Sequence, residues 1–214
     1  MNIVVIPVTP FQQNCSIIWD PDTLDAAIID PGGDEQLILD KINELQLSVK
    51  TILLTHGHLD HVGATTHLAQ KLQVPVNGPH PDDAFWLNAL EQQSAMFGFG
   101  NIKAFTPTKW LKDGDSVSLG NKTLQVLHCP GHTPGHLVFY EPTSKKVIVG
   151  DVLFAGSIGR TDFPQGNHAQ LIESIRSKLF SLPDDVTVYP GHGPTTTIGQ
   201  EKSSNPFVSD KNYG

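Results

Sequence analysis

Three histidines and an aspartate fall within one seven-residue stretch, Thr55-His56-Gly57-His58-Leu59-Asp60-His61. Imidazole and carboxylate are side chains that bind zinc, iron or manganese. Four donors packed this closely must point in different directions, which one metal can hardly satisfy. The spacing therefore suggests two neighbouring metals sharing one loop, each completed by ligands from elsewhere. The alternative is a polar loop that is histidine-rich by chance. Three later residues speak against chance. His132 sits in Cys129-Pro130-Gly131-His132-Thr133-Pro134-Gly135-His136, Asp151 follows the apolar run Val147-Ile148-Val149-Gly150, and His192 lies in Pro190-Gly191-His192-Gly193-Pro194. Proline or glycine flanks each one, so the backbone can turn sharply and aim a side chain inward.

The surrounding chain has to hold these residues at one place. An apolar run, Thr51 to Leu54, precedes the histidine stretch and a helix-like pattern follows it through about Leu72. Ligands on loops at the carboxyl ends of strands are the usual arrangement in α/β sheets. Strands are predicted at Ile3–Val8, Ser16–Trp19, Leu24–Ile29, Lys50–Leu54 and Val74–Val76, with Pro10 and Asn14 marking a turn between the first two. Asp34 is read as the N-cap of a helix carrying Leu37, Ile38, Ile42 and Leu45. In the second half, strands are predicted at Asp115–Leu119, Thr123–His128, His136–Tyr140, Lys146–Val149 and Val186–Tyr189, with an amphipathic helix over Asn167–Leu182. After Gly199 the pattern turns polar and loses periodicity. The order of elements is that of an α/β sandwich. The aromatic-rich middle, His80 to Pro107, begins a helix near Pro81-Asp82 and either covers the site or packs on a sheet edge.

The chain has 214 residues, enough for one domain with a sizeable core. Its net charge of -8 argues against nucleic-acid and anionic-membrane partners, which call for a positive face. No apolar stretch reaches membrane-spanning length, and the start reads as a strand and not as a secretory leader. Cys15 and Cys129 form neither a metal pair nor a disulfide framework, so a reduced, cytoplasmic protein with buried thiols is expected. His67, His80 and His168 read as surface residues. His128 and His136 lie beside the ligand loops, where a supporting hydrogen bond is open to them.

Together, the His-x-His-x-Asp-His stretch with His132, Asp151 and His192 resembles the metallo-β-lactamase superfamily, over Asp30 to His192. The resemblance implies an αββα sandwich, two mixed sheets flanked by helices. It implies that His56, His58 and His132 hold one metal, that Asp60, His61 and His192 hold a second, and that Asp151 bridges them. Asp30 matches an aspartate that supports the ligands from behind. The run Gly156 to Pro164, with Pro7-Val8-Thr9 and Leu127-His128-Cys129-Pro130, is similar to short bacterial glyoxalase II-type proteins (hydroxyacylglutathione hydrolase-like). Longer glyoxalase II enzymes add a C-terminal helical domain that binds glutathione; a single domain over 1–214 without it is expected here.

The implied chemistry is hydrolysis. Two metals, zinc first with iron or manganese as alternatives, hold a water as hydroxide near neutral pH and polarise a carbonyl. Asp60 and Asp151 are then the catalytic carboxylates. A thiolate, with a parent pKa of about 8.5, departs without a strong acid, which favours a thioester over an amide. The resulting expectation is cleavage of S-D-lactoylglutathione to D-lactate and glutathione, with β-lactam hydrolysis disfavoured. Arg160 is the candidate for the substrate carboxylate, against a surface ion pair with Asp162. Phe163 is a candidate pocket wall, with plain packing as its alternative. The same scaffold leaves open a lactone or ester hydrolase. It also leaves open a mononuclear iron persulfide dioxygenase using His56, His132 and Asp151. A structural metal module is disfavoured, because such sites are closed and cysteine-rich.

Overall fold

Alternation along the central strands builds two faces on each sheet. The computed structural model describes residues 1–213. Strands β1 (Asn2–Val8), β2 (Gln13–Trp19), β3 (Asp25–Ile29) and β4 (Ser48–Leu53) lead to a two-residue β5 (Val76–Asn77), in spatial order β1-β2-β3-β4-β5. The first three pair antiparallel and the last three parallel, so the sheet is mixed. Helix α1 (Glu35–Glu44) connects β3 to β4; α2 (Leu59–Val62) and α3 (Thr65–Leu72) connect β4 to β5. Two short helices follow, α4 (Ala84–Asn88) and α5 (Leu90–Phe97), after a 3₁₀ turn at Pro81–Asp83.

The second sheet contains β6 (Ser116–Leu119), β7 (Lys122–His128), β8 (Leu137–Glu141) and β9 (Lys146–Gly150). A small hairpin, β10 (Leu153–Phe154) and β11 (Ser157–Ile158), precedes α6 (His168–Ser174). Helix α6 continues as a π-helical turn, Ile175–Leu179. Strands β12 (Thr187–Pro190) and β13 (Thr196–Thr197) complete the sheet in the order β13-β12-β9-β8-β7-β6, and α7 (Ile198–Ser204) and α8 (Asp210–Tyr213) follow. The β12–β9 pair is parallel and the others antiparallel.

The expected αββα sandwich is what the core shows. Ile17, Ala26, Ile28 and Ile52 face one way and pack with Ile38, Ile42 and Leu68 of α1 and α3. Their neighbours Ile18, Ala27, Ile29 and Leu53 face the other way and meet Leu124, Val126, Leu137, Phe139 and Ile148 of the second sheet. On that sheet's outer face, Val138, Val147 and Val149 pack with Leu171, Ile175 and Leu179. A period of two in the strands and near four in the helices thus produces two buried helix–sheet layers and one sheet–sheet layer.

Four expectations need correction. Asn14 lies inside β2, paired with Pro7, and not in a turn. Asp34 precedes α1 in a left-handed conformation (φ 47°) and makes no side-chain cap; its Oδ2 instead accepts the Thr9 backbone N–H at 2.7 Å. The helix after the histidine stretch is broken in two, since the Ala64 N–H bonds to Pro31 O and not within the helix. The segment after Gly199 is helical, because Glu201 and Asn205 are buried in a polar network with Thr196 and the backbone of Gly156 and Ser157. A polar burial of that kind carries no apolar period.

Candidate metal centre

Five chain turns deliver the candidate ligands to one place. Asp30 follows β3, the His56–His61 stretch follows β4, His132 follows β7, Asp151 follows β9 and His192 follows β12. The Leu137 N–H donates to Thr55 O at 2.8 Å, so the first histidine loop is tied directly to the other sheet.

Two donor groups result. His56, His58 and His132 form one, with His58 Nδ1 3.0 Å from both His56 Nε2 and His132 Nε2. Asp60, His61 and His192 form the other, with Asp60 Oδ2 3.3 Å from His192 Nε2. Asp151 stands between them. Its carboxylate oxygens lie 3.4 Å from His61 Nε2, 3.6 Å from His132 Nε2 and 3.7 Å from His192 Nε2. The structure therefore brings together all seven residues expected from the sequence.

Hydrogen bonds behind the rings decide where the lone pairs point. His132 Nδ1 lies 2.7 Å from Arg160 O, an acceptor, so it carries the proton and Nε2 presents a lone pair. Thr55 Oγ1 donates to Asp30 Oδ2 at 2.5 Å and lies 3.0 Å from His56 Nδ1, which assigns that ring the same tautomer. His61 Nδ1 is 2.9 Å from Asp30 Oδ2, so His61 Nε2 also faces the centre unprotonated when the ring is neutral. Two lone pairs thus converge on His58 Nδ1, which can satisfy one at most. His61 Nε2 and Asp151 Oδ1, which face the centre, are buried without a hydrogen-bond partner among the described residues. Converging acceptors of this kind are costly unless a cation lies among them. The donor set fits divalent metal ions.

The electrostatics agree. Burial pushes His56 well below its ordinary pKa and His58 down to about 3, in each case reinforced by neighbouring histidines. Burial also lowers His132 and His136. For His61, burial acts downward, but Asp151, Asp60 and the Asp30 hydrogen bond outweigh it and raise the ring well above its ordinary value. Burial would raise Asp151; the charge of His61 at 3.4 Å, with His132 and His192, holds it well below the carboxylate range instead. His56, His58 and His132 are thus neutral beside an ionised Asp151, the protonation states that metal ligands need. On His61 and His192, by contrast, the nearby carboxylates favour a proton that a bound ion would displace.

Asp30 is a support, as expected. Its carboxylate accepts from the Thr55 N–H at 2.7 Å and the Thr55 hydroxyl, besides contacting His61. His136 is one too: its Nε2 accepts the Asp151 N–H at 3.0 Å, which fixes the bridging residue's backbone. His128 donates to Pro134 O at 2.8 Å and stacks on His80, which is half-buried and not a surface residue. His67 and His168 are exposed. Cys129 is fully buried and its thiol is pushed up to about 12 by burial, so it is inert.

Two supports escaped the sequence reading. Asp83 is fully buried and joins both ligand loops: it accepts from the N–H of Gly57 at 2.9 Å, the N–H of Gly135 at 2.6 Å and the Thr133 hydroxyl at 2.9 Å. Burial raises its carboxyl to about 6, against those three donors. Asn14 holds the His192 turn, donating its side-chain amide to Pro190 O at 3.0 Å and Gly193 O at 2.8 Å. The contacts are far apart in sequence, so no local spacing announces them.

A cavity of about 850 Å³ opens over the centre, lined by Phe85, Trp86, Met96, Phe97, Phe154 and Phe163 among others. Part of the aromatic middle segment therefore covers the site, while Phe99 and Phe105 pack on the first core. Arg160 also lines the cavity, but its Nε and Nη2 donate to the two Asp162 oxygens at 2.6 Å, and it lies 4.3 Å above the Phe163 ring. The ion pair weighed as Arg160's alternative is thus formed, with further guanidinium N–H groups left over.

Fold and donor set together define a metal-dependent hydrolase on an αββα sandwich. The chain belongs to the metallo-beta-lactamase superfamily, whose family profile matches residues 8–192. It is 52% identical over 212 residues to hydroxyacylglutathione hydrolase GloC of Haemophilus influenzae, covering 99% of this chain and 100% of that one. Among solved structures, the BLEG-1 B3 metallo-beta-lactamase is 38% identical with a TM-score of 0.89, covering 97% of this chain and 99% of that one. TTHA1623 in a di-iron-bound form is 37% identical with a TM-score of 0.87, covering 96% and 100%.

Proposed function

We propose that this protein hydrolyses glutathione thioesters, S-D-lactoylglutathione among them, at a two-metal centre. His56, His58 and His132 would hold one ion, Asp60, His61 and His192 the other, and Asp151 would bridge. The observation that carries the two-metal reading is the position of Asp151, within 3.7 Å of ring nitrogens from both donor groups. The near-full-length likeness to the Haemophilus hydroxyacylglutathione hydrolase supports the substrate class. Zinc is our first choice of metal, with iron or manganese as alternatives. With both cysteines free and buried, we infer a cytoplasmic location.

When bound, the metals supply a water deprotonated near neutral pH and polarisation of the carbonyl. The chain's own residues do the rest. Asp151 sets the spacing of the two donor groups. Asp60, lowered below its ordinary pKa despite burial, stays a carboxylate that accepts a water's hydrogen bond and orients it. The new bond joins the water oxygen to the acyl carbon, and the C–S bond breaks. The thiolate leaves without a proton from the protein, since its parent pKa is about 8.5. Arg160, with N–H groups beyond those given to Asp162, would meet a substrate carboxylate at the cavity wall.

The test is turnover of S-D-lactoylglutathione by the metal-loaded protein. A kcat/KM of about 10⁴ M⁻¹s⁻¹ or more is expected. Asp151→Ala and His58→Ala should each lose metal and nearly all hydrolysis while keeping a folded circular-dichroism spectrum. Full activity in either variant would overturn the two-metal assignment. Oxygen uptake with a persulfide, in place of thioester turnover, would favour the dioxygenase reading. The intact Asp60–His61–His192 group weighs against it.

A further inference from the structure

The cavity is strongly aromatic where it meets the metal centre. The Trp86 ring centroid is 4.5 Å from that of His58, and Phe163 is 4.9 Å from His58 and 6.0 Å from His132. Phe85 packs at 5.0 Å on Trp86, and Trp86 and Phe163 meet edge to face at 6.1 Å. These three side chains form an apolar corner beside the candidate ligands His58 and His132. A group attached to a carbonyl held at the centre comes within a bond or two of that corner.

Hydroxypropanoyl, the acyl half of lactoylglutathione, is small and polar and leaves this corner largely unfilled. The thiol half does not fill it either. Beyond its S–CH₂ unit, glutathione carries peptide bonds, two carboxylates and an ammonium, all costly to press against aromatic rings. Among the described residues, the one Lys or Arg on the cavity wall is Arg160, which stands at its exposed side over the outer face of Phe163, engaged with Asp162. The polar thiol half therefore belongs on the Arg160 side of Phe163, and the space between Phe163 and Trp86 belongs to the acyl group.

We propose that the acyl pocket formed by Phe85, Trp86 and Phe163 selects thioesters whose acyl group carries an aromatic or bulky apolar substituent. Resting on the thioesterase reading, this makes Trp86 and Phe163 specificity-determining. A phenyl ring gains edge-to-face contacts with both and removes apolar surface from water, whereas a methyl group does neither.

The experiment compares the glutathione thioester of 2-hydroxy-2-phenylacetic acid with that of lactic acid on the metal-loaded protein. In the wild type, kcat/KM for the phenyl substrate is expected to exceed that for lactoyl at least tenfold, chiefly through a lower KM. In Trp86→Ala, and in the half-buried Phe85→Ala should Trp86→Ala fail to fold, the ratio is expected to fall towards one. A wild-type ratio of one or below overturns the inference and leaves the thioesterase reading standing. Turnover of neither substrate instead overturns the thioesterase reading. The pocket is then judged by calorimetric binding of S-benzylglutathione against S-methylglutathione. Tenfold tighter binding of the benzyl compound, lost in Phe85→Ala, upholds the apolar corner; equal binding overturns it.

Discussion

At the residue scale, the centre depends on side chains that never touch a metal. Asp83 shows why. Three donors converge on its carboxylate, two of them backbone N–H groups in the loops that carry His56, His58 and His132. In Asp83→Asn one oxygen becomes an NH₂ facing an N–H donor, so at least one loop loses its anchor. Removing such outer partners typically costs 10–100-fold in metal affinity. The expected outcome is weaker metal binding by that factor, measured by chelator competition, together with a loss of about 1–3 kcal/mol in stability. Asn14→Ala releases the carbonyls on both sides of His192. It should weaken the second metal more than the first, giving a protein that retains about one equivalent after dialysis instead of two. Equal retention of both would show that the Pro190–Pro194 turn holds its shape unaided. Arg160→Ala should raise KM with little change in kcat, since it removes binding common to ground and transition states. An unchanged KM would leave the guanidinium to its ion pair with Asp162.

At the element scale, the ligand loops are held at a fixed distance from the covering helices. Gly57 separates His56 from His58, and a Cβ there would sit 2.7 Å from Trp86 Cβ and 3.3 Å from Asp83 O. Gln93 of α5 adds a second link, accepting from the Leu59 N–H at 3.1 Å and donating to Trp86 O at 2.9 Å. Gly57→Ala must push α4 away from the histidine loop. Overpacking of this kind costs about 1–3 kcal/mol. The thermal midpoint of the metal-free protein should drop, and metal affinity should fall with it; an unchanged midpoint would mean that α4 yields freely. The contrast with the strands explains how much could be read from the sequence. The β2, β3 and β4 alternations, such as Ile17 and Ile18 facing opposite layers, are written locally in apolar periodicity. All seven candidate ligands were legible, because each follows a strand and sits among glycines or prolines. Asp83, Asn14 and Gln93 were not, because the ligand loops that they anchor lie tens to more than a hundred residues away and their types are ordinary. Helix α7 was hidden for a related reason: what buries it is the Glu201 carboxylate network and not an apolar stripe.

At the scale of the whole molecule, burying this many imidazoles couples folding to protons. His56, His58, His132 and His136 are held below their ordinary value of 6.5, His58 down to about 3. Below pH 6.5 the unfolded chain takes up protons on these four rings while the folded chain refuses them, so acid favours unfolding. Their contribution is complete above pH 6.5 and is lost progressively as the pH falls towards the folded values. His61 and His192 are shifted the other way. Below 6.5 they are protonated in both states, so they add no slope in that window; their contribution is lost only as the pH rises through their raised folded values. Asp83 opposes the trend, since its carboxyl is raised to about 6 and gains a proton on folding between its ordinary 3.8 and that value. One opposing group against four leaves the net sign unchanged. The urea midpoint of the metal-free protein should therefore fall steadily from pH 6.5 to about pH 4. In the metal-loaded protein the fall should be steeper, because each ion binds only deprotonated ligands and its stabilisation is lost as protons compete. A metal-free midpoint that stays flat over this range would mean that the rings are protonated in the folded state. The tautomers deduced from Arg160 O and Thr55 would then be wrong, and with them the lone pairs of His132 and His56 on which the first donor group rests.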